Sequence, residues 1–135
     1  MVLTFVAGAV NAGGFLAVGQ YTSHMSGIFS ALADNLALGA LGLVMAGLGA
    51  LVLFVAGSAC SAILINWGRR RGWSDFFAVP LMLEAALLFG FGLLGSSTRS
   101  SPGFTLVAML LLCFIMGLQN ATVTKISGVA SARPM

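Results

Sequence analysis

Hydrophobic residues run along this chain in long blocks broken by short polar clusters, and the spacing of those blocks predicts helices throughout. The first apolar segment extends from about Leu3 to Val18. Asn11 falls near its middle and Gly13 and Gly14 follow at once, a pairing that lowers helix propensity and allows close backbone approach. A polar cluster from Gln20 to Gly27 comes next, and then Ile28 to Leu38, with Ile28, Phe29, Leu32 and Leu36 at helical spacing. The pattern predicts a helix there that is interfacial, re-entrant or the second half of a broken element. Three clearer spans follow: about Leu41 to Ile65, closed by Asn66, Trp67 and Gly68; Phe76 to Leu94, interrupted by Pro80 and Glu84; and Phe104 to about Leu118, extendable through Gln119 and Asn120. The joining segments, Gly68 to Asp75 and Gly95 to Gly103, are short enough to imply antiparallel neighbours.

Composition turns this helical pattern into a class. Of 135 residues, 59% are hydrophobic and only 7% are charged, against about 25% charged in ordinary soluble domains. No charge occurs in the thirty residues from Leu36 to Ile65 or in the twenty-five from Ser100 to Thr124, and about 20 apolar residues suffice to cross a bilayer core. The expected fold is therefore an all-α polytopic transmembrane helix bundle of four to five membrane segments, a single membrane domain over residues 1–135 with a discontinuous first element. Its expected surroundings are the lipid bilayer of the cell membrane, a bacterial inner membrane crossed several times.

The net charge of +3 does not point to nucleic acid. Arg69, Arg70 and Arg71 sit between Trp67 and Trp73 at the end of a span, the composition of an interfacial belt. Counting Lys and Arg places residues 68–75 and the tail bearing Lys125 and Arg133 on the cytoplasmic side, and the segment with Arg99 alone on the outer side. The first basic residue of the chain is Arg69, so the N-terminal stretch lacks the positive flank of a secretory signal. Cys60 and Cys113 lie in apolar sequence without metal-ligand or CxxC spacing and read as small buried hydrophobes. No metal, cofactor or catalytic constellation is expected, and neither a Ser-His, an HExxH nor a paired-acid arrangement supports an enzyme.

Polar side chains within apolar segments carry the candidate chemistry. Glu84 lies nine positions after Asp75, about 13 Å along a helix axis. At that depth an acid faces a bundle interior, a cavity or a cation. Two readings stand for it: a functional relay, or a protonated carboxylic acid serving as packing glue. Thr22, Ser23 and His24 form a compact polar group, and Ser23 or Ser26 is placed to cap the next helix and leave its N–H groups free for an anion. Against that stands a plain capping turn with an interfacial histidine. Asn11, Gln119 and Asn120 are embedded amides that serve either as interhelical bonds or as solute contacts. No GxxxG falls within the spans; Gly57 to Ser61, Ala46 to Ala50 and Ala86 to Gly90 are the softer small-residue spacings.

A half-repeat links the two ends. Residues 7–12 and 116–121 share Gly-x-x-Asn-Ala, so that one repeat starts over 7–27 and a second over 116–135, with Asn11 and Asn120 in equivalent places. The run Ala7-Gly8, Asn11-Ala12, Gly14-Phe15-Leu16, Gly19 and Thr22-Ser23-His24-Met25-Ser26-Gly27, together with Ala108-Met109 and Met116-Gly117-Leu118-Gln119-Asn120-Ala121, resembles the YoaK-type small membrane proteins, the DUF1275 or UPF0700 family. The resemblance covers essentially the whole chain. It implies a protein of about six spans whose second repeat carries its own Thr-Gly motif, which this chain does not reach; the expectation is a C-terminally truncated member with an incomplete second repeat. This sequence also has Ile28 where the family pattern commonly has Asn. The resemblance implies no assigned activity.

The functional expectation drawn from the residues is a small-solute permease or channel-like protein. Its site would be Asn11, Thr22, His24, Glu84 and Asn120, with Glu84 as proton or cation relay, completed if need be by a partner subunit or a second copy. The alternative is a non-transporting structural or interaction subunit that uses the same residues to hold helices together.

Overall fold

The computed structural model describes residues 25–98 and 103–131 and the isolated positions Phe5, Gly8, Ala9 and Ala12. Four helices make up the described chain, with no strand among the described residues: α1 (Met25–Ala37), α2 (Leu41–Arg70), α3 (Ala78–Thr98) and α4 (Phe104–Ser131).

Each of the first two helices ends on a glycine, for the same reason. Gly39 and Gly72 have φ of 71° and 70°, in the left-handed region that disfavours a Cβ. After α1, Gly39 N–H donates to Leu36 O (3.1 Å) and Ala40 N–H to Asn35 O (2.9 Å). After α2, Gly72 N–H donates to Arg69 O (3.1 Å) and Trp73 N–H to Gly68 O (3.2 Å). Both pairs are the Schellman arrangement, which satisfies carbonyls the helix end would orphan. The helix thus runs past Ile65 to Arg70, further than apolar content predicts, because the glycine that terminates it is Gly72. Arg69 and Arg70 in the last turn oppose the negative end of the helix dipole.

Other boundaries shift for local reasons. Helix α1 is described from Met25, and Ser26 is already helical, so it is not the cap. Phe76 and Phe77 belong to the turn before α3, and Ala78 N–H closes that turn on Asp75 O at 2.9 Å. Pro80 does not interrupt α3: it occupies the first turn, where its missing N–H removes no intrahelical bond. Helix α4 continues without a break through Gln119 and Asn120.

Register between helices follows from a few contacts. Leu32 touches the Cα side of Gly47, and Ile28 shares a core cluster with Ala50. Helix α1 therefore folds back antiparallel along α2, and Met25 comes level with about Phe54, near mid-length of α2. Gly49 meets Leu110, and Ser61 meets Thr122, so α2 and α4 run parallel. Helix α3 returns antiparallel alongside α4: its Phe91 stacks on Phe104 at 6.3 Å with an 11° tilt, and Phe76 and Phe77 of the turn before it share a cavity with Lys125.

Helix α4 is the more enclosed of the two long helices. From Leu112 to Gln119 all its residues but Phe114 are buried, and Ile28, Ala50 and Cys113 form a small core with Leu51, Met109 and Leu110 against it. Helix α2 is the opposite case. Its most apolar stretch has mean hydropathy 2.4 yet is only 22% buried, with Met45, Val52, Val55 and Ile63 exposed. The corresponding stretch of α4 has mean hydropathy 2.0 and is 50% buried. Both helices are long and apolar enough to cross a membrane; α3 offers a shorter apolar stretch, Ala78–Leu93.

Candidate functional site

The seam between α2 and α4 is built on two glycines used reciprocally. A Cβ at Gly57 would drive into the carbonyl oxygen of Phe114, and a Cβ at Gly117 would drive into the carbonyl oxygen of Phe54. The two backbones touch, and no larger residue fits either place. Around this contact the hydroxyls are fully used. Ser58 Oγ lies 3.0 Å from both Phe54 O and Gly117 O, one carbonyl on its own helix and one across the seam. Thr122 Oγ1 donates to Leu118 O at 2.8 Å. That commits the threonine proton, so Ser61 Oγ donates to Thr122 Oγ1 across 2.7 Å. Ser61 and Thr122 are both fully buried.

A second set of buried polar groups is not used in this way. Glu84 is 3% exposed and its Oε2 has no hydrogen-bond partner among the described residues; Gln119 is 1% exposed and neither its Oε1 nor its Nε2 has one there. On α3, which begins just after the turn bearing Phe77, the buried Pro80 and the half-buried Phe91 share a face with the buried Glu84. It lies seven residues from Phe77 and seven from Phe91, so it stands level with the middle of α4 between Lys125 and Phe104. Gln119 lies near that same level. Side chains on a helix tilt toward its N-terminus, and α3 and α4 run in opposite directions. The carboxyl of Glu84 therefore leans toward the C-terminal half of α4 while the Gln119 amide leans back toward the N-terminal half, which narrows the difference in depth. Leaving a buried polar group unpaired costs about 1–3 kcal/mol, and such a group in a folded protein calls for a ligand, a water or a function.

The residues expected at the site separate on this map. Glu84 is in the interior. Asn120 is exposed, and its carbonyl accepts from Thr124 Oγ1 at 2.8 Å; the buried amide of the pair is Gln119. Asn11, Thr22 and His24 lie outside the described residues. Ser58 and Thr122 are polar interior positions outside the expected site, and Ser61 enters the sequence analysis only through its spacing from Gly57. The spacing Gly117-x-x-x-Ala121 on α4, set against Gly57-x-x-x-Ser61 on α2, was the available signal for that seam.

Between α1, α2 and α4 runs an apolar groove of about 470 Å³, lined by Ile28, Leu32, Leu43, Gly47, Leu106 and Met109, with Asn35 and Thr105 as polar members. Among the described residues no three His, Cys, Asp or Glu side chains gather where they could hold a metal ion, and Cys60 and Cys113 are free thiols.

Fold and interior define an all-α chain with two helices fit to cross a membrane and an acid and an amide held unpaired between closely packed helices. Its sequence belongs to the DUF1275 family, described as a protein of unknown function, whose model matches residues 1–134. No curated protein and no solved structure matches it.

Proposed function

We propose that this chain is a multi-pass protein of the cell membrane and acts as a small-solute permease or channel-like transporter in which Glu84 relays a proton or cation. The membrane assignment is supported by the outward apolar faces of α2 and α3, where Met45, Val52, Ile63, Met82 and Phe89 are exposed. In water such a surface drives aggregation; against lipid it is the expected exterior. Helices α2, α3 and α4 then cross out-in, in-out and out-in, with Arg69, Arg70, Arg71 and Lys125 at the cytoplasmic end.

The observation that carries the transport reading is the Oε2 of Glu84, buried and without a partner among the described residues, at a depth near that of a Gln119 amide in the same state. If both groups served only as glue, they would be bonded across a helix interface, as Ser61 and Thr122 are. An acid left unpaired within a helical bundle is available to bind and release a proton or to coordinate a passing cation. The test is a pH-jump assay on proteoliposomes containing the wild-type chain or the Glu84→Gln variant. The variant is expected to lose proton-coupled flux while retaining assembly; equal flux from both proteins removes Glu84 from the path.

The second reading, a non-transporting subunit, draws on the Ser58, Ser61 and Thr122 bonds, which hold α2 to α4. It predicts that Glu84→Gln impairs assembly without any flux to lose.

A further inference from the structure

The end of the bundle that carries the arginines also holds a cavity. It measures about 290 Å³ and is lined by Ile65, Arg69, Phe76, Phe77 and Lys125. Two observations set it apart from an ordinary basic surface. First, its charges come from different helices: Arg69 closes α2, and Lys125 projects from α4 some fifty-six residues later in the chain. Neither has an ion-pair partner among the described residues. By contrast, Arg71 from the same run is occupied, its guanidinium lying 4.4 Å from the centre of the Trp67 ring. Second, the floor is apolar and aromatic. Ile65 is 1% exposed, Phe76 and Phe77 are half-buried, and their rings pack on each other at 4.4 Å.

Two cations on the rim of an apolar, aromatic floor match an amphiphilic anion, whose charged group meets the cations while its hydrocarbon lies on the rings. A free phosphate would satisfy the cations and leave the floor uncovered. We infer that Arg69 and Lys125, with Phe76, Phe77 and Ile65 beneath them, form a binding site for the phosphate headgroup and adjoining acyl chain of an anionic phospholipid. This rests on the membrane reading proposed above, and it adds a ligand class and a location that the reading lacks. Basic recesses between helices at the cytoplasmic face are the physical setting in which anionic headgroups are held.

Trp67 and Trp73, the two tryptophans of the chain, pack edge to face at 5.5 Å at this same end, and report on it. The full chain is reconstituted into phosphatidylcholine vesicles containing a matched fraction of acyl-brominated lipid, either phosphatidylglycerol or phosphatidylcholine, and tryptophan quenching is compared. The brominated anionic lipid is expected to associate about thirtyfold more strongly than the zwitterionic one, as two interfacial cations predict. The ratio should fall close to one in the Arg69→Gln, Lys125→Gln double variant. It should persist in Arg70→Gln, Arg71→Gln, which removes the same charge from described positions that do not line the cavity. A ratio unchanged in the first variant, or lost equally in both, overturns the site. Displacement of the excess quenching by added inorganic phosphate assigns the cations to a soluble anion and overturns the lipid. Equal quenching by both lipids sinks the lipid site and leaves the membrane reading standing, whereas absence of quenching by either lipid removes the membrane reading itself.

Discussion

Two parts of the interior treat buried polar groups in opposite ways. Between α2 and α4, Ser58, Ser61 and Thr122 are all bonded, and the backbones are close enough that Gly57 and Gly117 admit no side chain. In the same interior, Glu84 and Gln119 keep three polar atoms without partners. The difference teaches what each region is for. A seam whose hydroxyls are satisfied and whose backbones touch has one arrangement and resists change. Glu84 on α3 and Gln119 on α4, left unsatisfied, lose stability as they stand, and it is this pair that the proposed relay uses.

The sharpest way to break this contrast is at the seam. Gly117→Leu forces four side-chain carbons into space held by the Phe54 backbone, which has no flexible end to move. A loss of about 3 kcal/mol or more is expected, read as the midpoint of unfolding in mixed detergent; a variant as stable as wild type would mean that α2 and α4 do not meet as described. Gly57→Leu should behave alike, through Phe114.

On the other side the expected sign is reversed. Gln119→Leu removes two unpaired atoms from an apolar interior and should leave stability unchanged or raise it by about 1 kcal/mol, while proton-coupled flux falls at least as far as in Glu84→Gln. A marked loss of stability would show instead that the amide is bonded and belongs with the glue.

Smaller effects grade the seam itself. Ser61→Ala deletes the donor to Thr122 but leaves Thr122 bonded to Leu118 O; about 0.6 kcal/mol is expected, the usual scale of an interhelical hydroxyl bond in lipid. Thr122→Ala strands the Ser61 hydroxyl and should cost more than Ser61→Ala under the same detergent titration. The smallest change belongs to Asn120→Ala. Its side chain is exposed, so both stability and flux should stay within about 0.5 kcal/mol of wild type. A large flux effect there would return Asn120 to the site and weaken the case for Gln119.

Much of the fold was legible because it depends on quantities that sequence carries directly. Hydrophobic run length located α2 and α4, and positive charge after Trp67 marked the end at which α2 turns. The helix boundaries were displaced by local backbone chemistry that run length does not contain: α2 continues to the Schellman glycine at Gly72, and α3 starts after the turn bearing Phe76 and Phe77. Within the candidate site, Glu84 stood out since an acid in an apolar run is costly wherever it points. The choice between Gln119 and Asn120 was not open to sequence. Adjacent residues on a helix differ by about 100° in direction, and which amide is enclosed depends on where the neighbouring helices lie.

By itself, then, the order of residues determined the helical class, the apolar exterior and the presence of a buried acid, because each follows from the free energy of placing a side chain or a backbone amide in a given solvent. Only the tertiary structure decided which groups are paired. Ser61 finds Thr122 sixty-one residues away, Arg69 and Lys125 come to one cavity from two helices, and Glu84 and Gln119 are left unbonded in the interior. Hydrogen bonds and charge pairs act over a few ångströms, and those distances are set by how whole helices pack.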